Sequence, residues 1–306
     1  MVAIVSGKNG QLGRELQSVA SSGLNCECIF LDKEELNIAD DSSLEHIFQK
    51  YSPSFFINCA AYTAVDRAET EQEIAYKINA EAVGKVAKFC AQFKATLLHI
   101  STDYVFDGKA KEPYREEDAT NPVNYYGYTK WLGEQLALNN NQDTIIIRVS
   151  WLYSAWGNNF VKTMLRLMNE KKEIRVVNDQ FGSPTYAKDL AEVILSIVNG
   201  QCLPAGEAGS ILNENMKHQT PNPRRQTKKG VYHFSNEGII SWYDFAVAIK
   251  EIKQLDCIIH PIPTSSYPTP AKRPAYSGLD KTKIANTFNI GLRNWKYSLR
   301  ECLKLL

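Results

Sequence analysis

The sequence has few of the features that would place a protein in a membrane or against a polyanion. No apolar run among its 306 residues approaches the length of a membrane span, and its first residues lack the basic start and apolar stretch of a signal peptide. Its 35 lysine and arginine residues nearly balance 34 aspartate and glutamate residues, so no global field attracts nucleic acid. These absences predict a soluble, cytoplasmic protein that binds neither a membrane nor nucleic acid.

Histidine and cysteine are too scattered for a metal centre or a disulfide framework. The five histidines, at positions 46, 99, 218, 233 and 260, show no paired spacing. The cysteines number seven, which is odd, and only Cys26 and Cys28 are close neighbours. We therefore expect reduced thiols and no metal site.

Apolar runs alternate with helical patterns through the first half of the chain. Five runs predict strands, near 2–6, 26–31, 55–58, 96–101 and 144–149. Such a βαβ series forms a parallel sheet with helices on both faces, and its ligands bind at the carboxyl ends of the strands. The sequence therefore predicts an α/β fold with a Rossmann-type doubly wound parallel sheet.

Three glycines follow the first predicted strand and open a predicted helix. Gly7, Gly10 and Gly13 stand where the free N–H groups of a helix N-terminus meet a dinucleotide diphosphate, and the missing Cβ atoms let the backbone approach it. Asp32, about twenty residues further on, follows the second strand, where an acidic residue binds the ribose of NAD. Lys33 and Arg14 offer the alternative of a site for the 2′-phosphate of NADP, and a solvated charged loop is a third interpretation.

The chain length and composition favour two domains. We expect residues 1–150 to form a dinucleotide-binding domain, with later returns near 186–199 and 231–250. Residues 151–306 then form mainly a smaller C-terminal substrate-binding α/β domain. Within it, residues 200–230 are polar, rich in turn formers and free of aromatics, which favours a flexible surface insertion over a nucleic-acid patch. The proline-rich segment 261–274 predicts irregular, stiff backbone that suits a pocket wall.

Tyr126 and Lys130 lie four residues apart, so both side chains project from one face if the segment is helical. The pKa of an unperturbed tyrosine is about 10, and a neighbouring ammonium and the charge of a cofactor would have to lower it towards the range in which acid catalysis is efficient. Thr102, at the end of the fourth strand, is placed to hydrogen-bond a reacting carbonyl. Each feature also has a non-functional interpretation: Tyr126 and Lys130 could be a chance pair on a helix surface, and Thr102 could belong to a polar turn that closes a strand. The glycine loop favours the catalytic interpretation of both.

These motifs resemble the extended short-chain dehydrogenase/reductase superfamily over nearly the whole chain. Within it they are similar to reductases of nucleotide 4-keto-deoxysugars. The matching segments are the glycine loop, 58–66, 101–108, 126–130, 149–153, 158–160, 178–185 and 263–274, so that only 200–230 is extra. The resemblance implies hydride transfer from NADPH or NADH to the C4 ketone of dTDP-4-dehydro-L-rhamnose or a similar sugar.

The resemblance also implies a role for each matching residue. Tyr126 would donate the proton, Lys130 would hold the nicotinamide ribose and lower the pKa of Tyr126, and Thr102 would orient the ketone. The cofactor would be lined by Gly7, Gly10, Gln11, Leu12, Gly13, Asp32, Asn37, Ile38, Ala61, Tyr62, Thr63, Tyr126 and Lys130. The substrate would contact Thr102, Asp103, Tyr104, Trp151, Lys272 and Arg273, of which the last two suit the diphosphate. A tryptophan that ends an apolar strand fits a core position equally well, so the role of Trp151 stays open.

Two departures from the family pattern bear on the cofactor and on assembly. Asn37 stands where family members usually carry an acidic residue against the adenine. Some members dimerise around magnesium held by glutamates; Glu15 matches one position, but Asp189 and Lys296 occupy the places of others. We therefore predict no metal, and either a monomer or a homodimer.

Three other functions share the same framework. Dehydratases of the superfamily need an Asp-Glu pair after the threonine, and here Asp103 is followed by Tyr104. An epimerase stays possible but lacks the usual serine-rich motif at that point. A non-catalytic cofactor-binding subunit, like the regulatory subunit of methionine adenosyltransferase, would not require Thr102, Tyr126 and Lys130 to be intact.

Overall fold

The computed structural model describes residues 1–20, 26–200 and 228–306. Residues 201–227, which are most of the predicted insertion 200–230, lie outside the described residues. None of the helices in the described ranges is long and apolar enough to cross a membrane.

Twelve strands lie in the described part of the chain, and six of them form one sheet. In chain order the strands are β1 (Val2–Ser6), β2 (Glu27–Leu31), β3 (Phe55–Asn58), β4 (Thr96–Thr102), β5 (Thr144–Val149), β6 (Leu152–Tyr153), β7 (Glu173–Val177), β8 (Phe181–Gly182), β9 (Thr185–Tyr186), β10 (Gly230–Phe234), β11 (Ile240–Ser241) and β12 (Ile258–Ile262). The sheet has the order β10-β5-β4-β3-β1-β2, and all its pairs are parallel. This order confirms the predicted Rossmann-type fold.

Eleven α-helices lie in the same ranges and cover the sheet and the smaller C-terminal part. They are α1 (Gln11–Ala20), α2 (Asp41–Tyr51), α3 (Val65–Ala68), α4 (Gln72–Tyr76), α5 (Ala82–Phe93), α6 (Tyr125–Asn140), α7 (Phe160–Glu170), α8 (Ala187–Asn199), α9 (Trp242–Lys253), α10 (Thr282–Phe288) and α11 (Trp295–Leu303). A π-helical turn at Lys77–Glu81 joins α4 to α5. Short 3₁₀ turns lie at Asp103–Val105 and Thr264–Ser266.

Apolar side chains fill both faces of the main sheet. On one face, Leu16 of α1 and Ile194 of α8 belong to the same buried cluster as Val5 and Ile147 of the strands. On the other face, helices α2 and α5 bury their apolar stripes against strand residues such as Ile4. Because both faces are covered, the carboxyl ends of the strands form the open edge at which ligands bind in such folds.

A second core lies in the C-terminal part of the chain. It contains Phe245 of α9, Leu299 of α11 and Val161 of α7, together with residues of the short paired strands. The chain returns to the main sheet with α8 and again with β10, whereas α9 packs in the second core. The later return is shorter than the predicted 231–250, since the helical apolar pattern after 240 does not reveal which core it faces.

The segment 261–274 is more regular than its prolines predicted. Strand β12 includes Pro261 and pairs with β7 in a two-stranded parallel sheet. A proline fits such a strand where its missing N–H is not needed by the neighbour, as at a sheet edge.

Candidate active site

The glycine-rich turn between β1 and α1 is built so tightly that side chains would disrupt it. Gly7 has φ +76°, which is costly for any residue with a Cβ atom. A Cβ on Gly13 would lie 2.3 Å from the carbonyl oxygen of Gly7, whereas a Cβ on Gly10 would meet the same oxygen at 3.3 Å. Gly7 and Gly13 thus shape the turn, and Gly10 leaves room outside it. The turn is a cradle of backbone N–H groups at the carboxyl end of β1.

Replacing Gly13 and Gly10 separately should distinguish these two roles. We expect Gly13→Ala to lower the thermal midpoint by several degrees and to weaken dinucleotide binding at least about tenfold, because its Cβ meets backbone that cannot move away. Gly10→Ala should change stability less while weakening the same binding. Calorimetry and fluorescence titration with NADPH measure both quantities. Equal stability of the two variants would contradict the assignment of Gly13 to the turn itself.

Asp32 lies beside this turn at the carboxyl end of β2. Its Oδ1 accepts hydrogen bonds from the backbone N–H groups of Glu34 and Glu35, at 3.2 and 3.1 Å. Its Oδ2 lies 3.2 Å from Nζ of Lys8, a cation that the sequence reasoning missed. The pKa of the Asp32 carboxyl lies below its usual value because of its hydrogen bonds and the charge of Lys8, although desolvation acts in the opposite direction. The side of the cradle next to β2 therefore carries both a carboxylate and an ammonium.

Two further predicted cofactor segments line the neighbouring strand ends. Asn37 is exposed and Ile38 is buried, after the loop that contains Asp32. Ala61, Tyr62 and Thr63 follow β3. The backbone N–H of Tyr62 donates to Oδ1 of Asn79 at 2.9 Å, and Nδ2 of Asn79 donates back to the carbonyl of Tyr62 at 3.0 Å.

Asn79 is a residue that the sequence reasoning did not identify. It lies in the π-helical turn, is 1% exposed, and donates from Nδ2 to the hydroxyl of Thr129 in α6 at 3.2 Å. A Cβ on Gly133 would lie 2.1 Å from its carbonyl oxygen, so α6 approaches the turn closely. Asn79 thus links the loop after β3 to the helix that carries Tyr126. A π-helical turn often marks a functional site, but it cannot be recognised from one sequence.

A loop after β6 covers the start of α1. Nδ2 of Asn159, the N-cap of α7, donates to Oε1 of Gln11 at 2.9 Å. The guanidinium of Arg14 lies 5.3 Å from the ring centroid of the exposed Trp156. Gln11 is therefore held in place by a residue from the C-terminal part of the chain, so both parts of the chain contribute to the cradle.

The start of α6 places Tyr126 against the end of β4. Asn124 caps the helix by accepting the backbone N–H of Gly127 at 2.8 Å. A Cβ on Gly127 would lie 2.2 Å from the carbonyl oxygen of Tyr104, so only glycine lets the helix approach this closely. The ring of Tyr126 meets that of Tyr104 edge-on, with centroids 5.7 Å apart, and its hydroxyl is hydrogen-bonded to Thr102. The structure thus brings together Thr102, Tyr104 and Tyr126.

Burial, Thr102 and Asp103 set the pKa of Tyr126 in the structure. Burial raises this pKa above its ordinary value, the hydrogen bond with Thr102 lowers it, and the charge of Asp103 raises it further. Nζ of Lys130 donates to the carbonyl of Ile100 at 2.7 Å and lies 3.3 Å from Nε2 of His99. Burial also lowers the pKa of Lys130, to about 8. The phenol therefore keeps its proton at neutral pH.

Asp103 lies buried next to Thr102, whose hydroxyl donates to its Oδ1 at 3.0 Å. Its Oδ2 is buried and finds no hydrogen-bond partner in the described part of the chain. Burial raises the pKa of this carboxyl to about 7. Near neutral pH a fraction of Asp103 is therefore protonated and able to donate a hydrogen bond.

Trp151 lies at the end of β5 with a strained backbone, at φ +47°. Its ring stacks on that of Trp242, with centroids 3.5 Å apart. A Cβ on Gly182 would lie 2.7 Å from the Trp151 ring, so Gly182 gives it room. Trp151 packs partly against the second core, in agreement with the core interpretation, and its strained position at a strand end is also typical of functional sites.

Lys272 and Arg273 lie in the segment after β12. Arg273 forms a two-pronged ion pair with Asp66, in which Nη2 donates to Oδ2 at 2.8 Å and Nη1 donates to Oδ1. The carbonyl of Lys272 accepts from Nδ2 of Asn124 at 2.8 Å, while its side chain is exposed. Both residues line a cavity of about 480 Å³ together with Asp179. Asp66 thus anchors this wall to α3, a role that sequence reasoning missed.

One of the two carboxylates considered for a metal, Asp189, is paired with an arginine. Nη1 of Arg293 lies 2.7 Å from Oδ1 of Asp189 and 3.5 Å from Oε2 of Glu192, and Glu15 is buried nearby on α1. Lys296 is exposed. Across residues 1–20, 26–200 and 228–306, no group of three or more histidine, cysteine, aspartate or glutamate side chains is arranged to hold a metal ion.

Glu192 should make stability fall as the pH rises. Burial, as the largest cause, raises the pKa of its carboxyl from 4.5 to about 7, so the folded state favours the protonated form. The contribution of Glu192 to the free energy of unfolding is fully present below about pH 4.5 and is lost as the pH rises through about 7. Urea unfolding at pH 4.5 and pH 8 gives the difference in free energy of unfolding between Glu192→Gln and the unmodified protein. We expect this difference to shift in favour of the variant by about 1 to 3 kcal/mol from pH 4.5 to pH 8. The same difference at both pH values would contradict this.

The parallel sheet, the glycine-rich cradle and the contact between Thr102 and the Tyr126 helix define an oxidoreductase of the extended short-chain dehydrogenase/reductase class. The family model described as the RmlD substrate binding domain matches residues 1–306, and the chain belongs to this family.

Relatives with known names are similar over their whole length. A spore coat polysaccharide biosynthesis protein of Bacillus subtilis strain 168, SpsK, is 41% identical over 302 residues, which are 98% of this chain and 96% of that protein. The dTDP-4-dehydrorhamnose reductase of Aggregatibacter actinomycetemcomitans is 38% identical over 304 residues, 97% of each chain. A crystal structure of the dTDP-4-dehydrorhamnose reductase of Bacillus anthracis strain Ames in complex with NADP is 35% identical, with a TM-score of 0.87 and coverage of 100% of this chain and 99% of that one. The resemblance predicted from the sequence is confirmed.

Proposed function

We propose that this protein transfers hydride from NADPH or NADH to the C4 ketone of dTDP-4-dehydro-L-rhamnose, or of a similar nucleotide 4-keto-deoxysugar, and that Tyr126 donates the proton. The observation that carries this proposal is the hydrogen-bonded pair of Thr102 and Tyr126, which lies at the same edge of the sheet as the glycine cradle. The names of the relatives supply the substrate class.

The cradle fits a dinucleotide, because glycine at positions 7 and 13 lets the backbone turn tightly where a Cβ atom would meet other backbone atoms. This tight turn is what a dinucleotide diphosphate needs to approach the helix N-terminus. The N–H groups at the start of α1, with Gln11 and Leu12 among their residues, would hold the diphosphate, and Asp32 with Lys8 would meet the adenosine ribose. The carboxylate suits the ribose diol of NADH, whereas the ammonium suits the 2′-phosphate of NADPH. Asn37 and Ile38 would flank the adenine, and Ala61, Tyr62 and Thr63 the middle of the cofactor. When bound, the cofactor supplies the hydride.

The chain's own residues supply the proton and the orientation. The hydroxyls of Thr102 and Tyr126 would both face the ketone oxygen, and Thr102 would turn its hydrogen from Asp103 to that oxygen, so that the carbonyl is polarised before reduction. As the C4–H bond forms, the Tyr126 O–H bond breaks and its proton goes to the oxygen of C4. The raised pKa of Tyr126 keeps this proton in place until negative charge develops on the substrate oxygen. Lys130 would hold the nicotinamide ribose.

The remaining substrate contacts are proposed from the walls of the cleft. Asp103 and Tyr104 would contact the sugar, and Trp151 would form a flat wall beside it. Lys272, whose ammonium is exposed, would bind the diphosphate. Arg273 shares its guanidinium with Asp66, so it would contribute to the same anion site from a fixed position. A nucleotide sugar is the only partner that this proposal requires, and both a monomer and a homodimer are compatible with it.

An assay of NADPH and NADH oxidation with dTDP-4-dehydrorhamnose tests the proposal, with related nucleotide 4-keto sugars for comparison. We expect stoichiometric cofactor oxidation and a 4-hydroxy product with at least one of these sugars. Cofactor binding without oxidation would refute the reductase and favour a cofactor-binding subunit. Conversion of the sugar without net oxidation would refute it in favour of an epimerase.

A further inference from the structure

A chain of buried polar side chains runs beneath the proposed catalytic centre, across three strands and into α6. The hydroxyl of Ser6 donates to Oδ1 of Asn58 at 2.8 Å, Nδ2 of Asn58 lies 3.2 Å from Nδ1 of His99, and Nε2 of His99 lies 3.3 Å from Nζ of Lys130. These residues are 1%, 1%, 0% and 2% exposed, respectively. Each donor and acceptor in the chain therefore has to be matched within the protein.

The backbone fixes the orientation of the Asn58 amide. The N–H of Ala60 donates to Oδ1 of Asn58 at 3.2 Å, and since a backbone N–H can only donate, the atom that faces it is the oxygen. The NH₂ group then faces His99, so Nδ1 of His99 is the acceptor. Burial, as the main cause, and the charge of Lys130 hold the pKa of His99 well below its usual range. A neutral ring that accepts at Nδ1 carries its proton on Nε2.

This tautomer presents an N–H to Lys130. An ammonium has three donors and no lone pair, so it would oppose the Nε2–H donor to donor, whereas an uncharged amine accepts that hydrogen and still donates to the carbonyl of Ile100 at 2.7 Å. The charged group nearest along α6, Glu134, is already held by Arg148 at 2.9 and 2.7 Å. The thiol of Cys59 is neutral, since burial raises its pKa to about 12. Within the described residues, no free carboxylate pairs with Lys130.

We infer that Asn58 and His99 are positioning residues for the proposed reduction: they fix the Nε2–H tautomer of His99 against Nζ and thereby favour the loss of the proton of Lys130 in the free protein. The assignment of a catalytic consequence rests on the proposed function, whereas the tautomer does not. Lys130 then acts on the phenol of Tyr126 as a cation only in the fraction of the protein in which it holds its proton.

The tautomer of His99 can be measured directly in the free protein. In protein labelled with ¹⁵N-histidine, we expect the imidazole ¹⁵N–¹H correlation of His99 at pH 7 to show a neutral Nε2–H ring, with assignment by loss of the signal in His99→Gln. His233 is the internal control. Its Nδ1 faces the carbonyl of Tyr114 at 3.1 Å and its Nε2 faces Nη1 of Arg148 at 3.4 Å, which requires the opposite, Nδ1–H tautomer. An Nδ1–H ring or an imidazolium at His99 would overturn the inference.

Asn58→Asp should reverse the arrangement without changing the size of the side chain. A carboxylate at this position accepts from Nδ1–H, so Nε2 becomes an acceptor and Lys130 an ammonium. We expect the titration midpoint of Lys130, followed by ¹³Cε-lysine NMR and assigned with Lys130→Met, to rise by about one pH unit or more. Ser6→Ala, which alters the far end of the chain, should leave it in place. An unmoved midpoint in Asn58→Asp would overturn the inference.

Failure of the inference and failure of the proposed function are distinguishable. If His99 has the Nε2–H tautomer but no sugar is reduced, the proposed function fails and the positioning of Lys130 stands. If the sugar is reduced while His99 carries Nδ1–H, the inference fails alone. The wild-type tautomer decides the question even if Asn58→Asp does not fold.

Discussion

Replacing Tyr126 with phenylalanine should lower kcat by about 10² to 10⁴ and leave the affinity for NADPH nearly unchanged. The variant keeps the ring that packs edge-on against Tyr104 and removes only the hydroxyl that meets Thr102. A ketone without a proton donor must pass through a less stabilised alkoxide, so the loss falls on the chemical step rather than on binding.

Single-turnover oxidation of NADPH and a binding titration separate the two quantities. Tyr128→Phe is the matched control, because Tyr128 lies on the same helix but is 41% exposed, and its turnover should stay at the wild-type level. Near wild-type turnover of Tyr126→Phe would end the assignment of Tyr126 as the proton donor. An equal loss in both variants would instead indicate damage to α6.

Replacing Arg148 with methionine should lower the free energy of unfolding by about 3 to 5 kcal/mol, since it leaves the buried carboxylate of Glu134 without its partner. Arg148 and Glu134 are 4% and 0% exposed, and they form two hydrogen bonds, at 2.9 and 2.7 Å. The guanidinium also lies 5.1 Å from the ring centroid of Phe106. Burial of one unpaired charge costs far more than the pair itself contributes.

Chemical denaturation measures this loss, and the chain offers a matched surface pair. Arg166 and Glu170 are 61% and 54% exposed and lie one turn apart on α7, so Arg166→Met should cost less than about 1 kcal/mol. The double variant of Arg148→Met with Glu134→Leu should recover much of the loss, because it removes the charge as well as its partner. A single Arg148→Met variant as stable as Arg166→Met would contradict this account.

The features that the sequence predicted well are those with local signals. Strands β1 to β5 have continuous apolar runs, and the glycines between β1 and α1 announce a turn that side chains cannot enter. Thr102 and Tyr126 were matched to the pattern of the family, and the structure brings them into contact. Which residues bind cofactor and substrate stays a prediction for the experiments above.

The features that the sequence did not reveal depend on contacts between distant segments. Asp66 and Arg273 are 207 residues apart, and neither has a neighbour in sequence that indicates the other. Asn58 and His99 are 41 residues apart, and each is an ordinary polar residue in an apolar run, at the end of β3 and in the middle of β4. The contacts of Lys130 were hidden for a related reason, since a spacing of four residues reveals a shared helix face but not the imidazole and the carbonyl packed against it. The expected effect of Lys130 and the cofactor on the pKa of Tyr126 stays a prediction.

The place of β10 in the sheet bears on how the polypeptide matures on the ribosome. This strand pairs with β5, although 80 residues of the chain lie between Val149 and Gly230. Until β10 emerges from the ribosome, β5 is an edge strand with unpaired backbone N–H and C=O groups. Such edge strands can pair with strands of other chains. Nascent chains halted before residue 230 should therefore be prone to aggregate, and chaperones would be needed longest at this stage of translation.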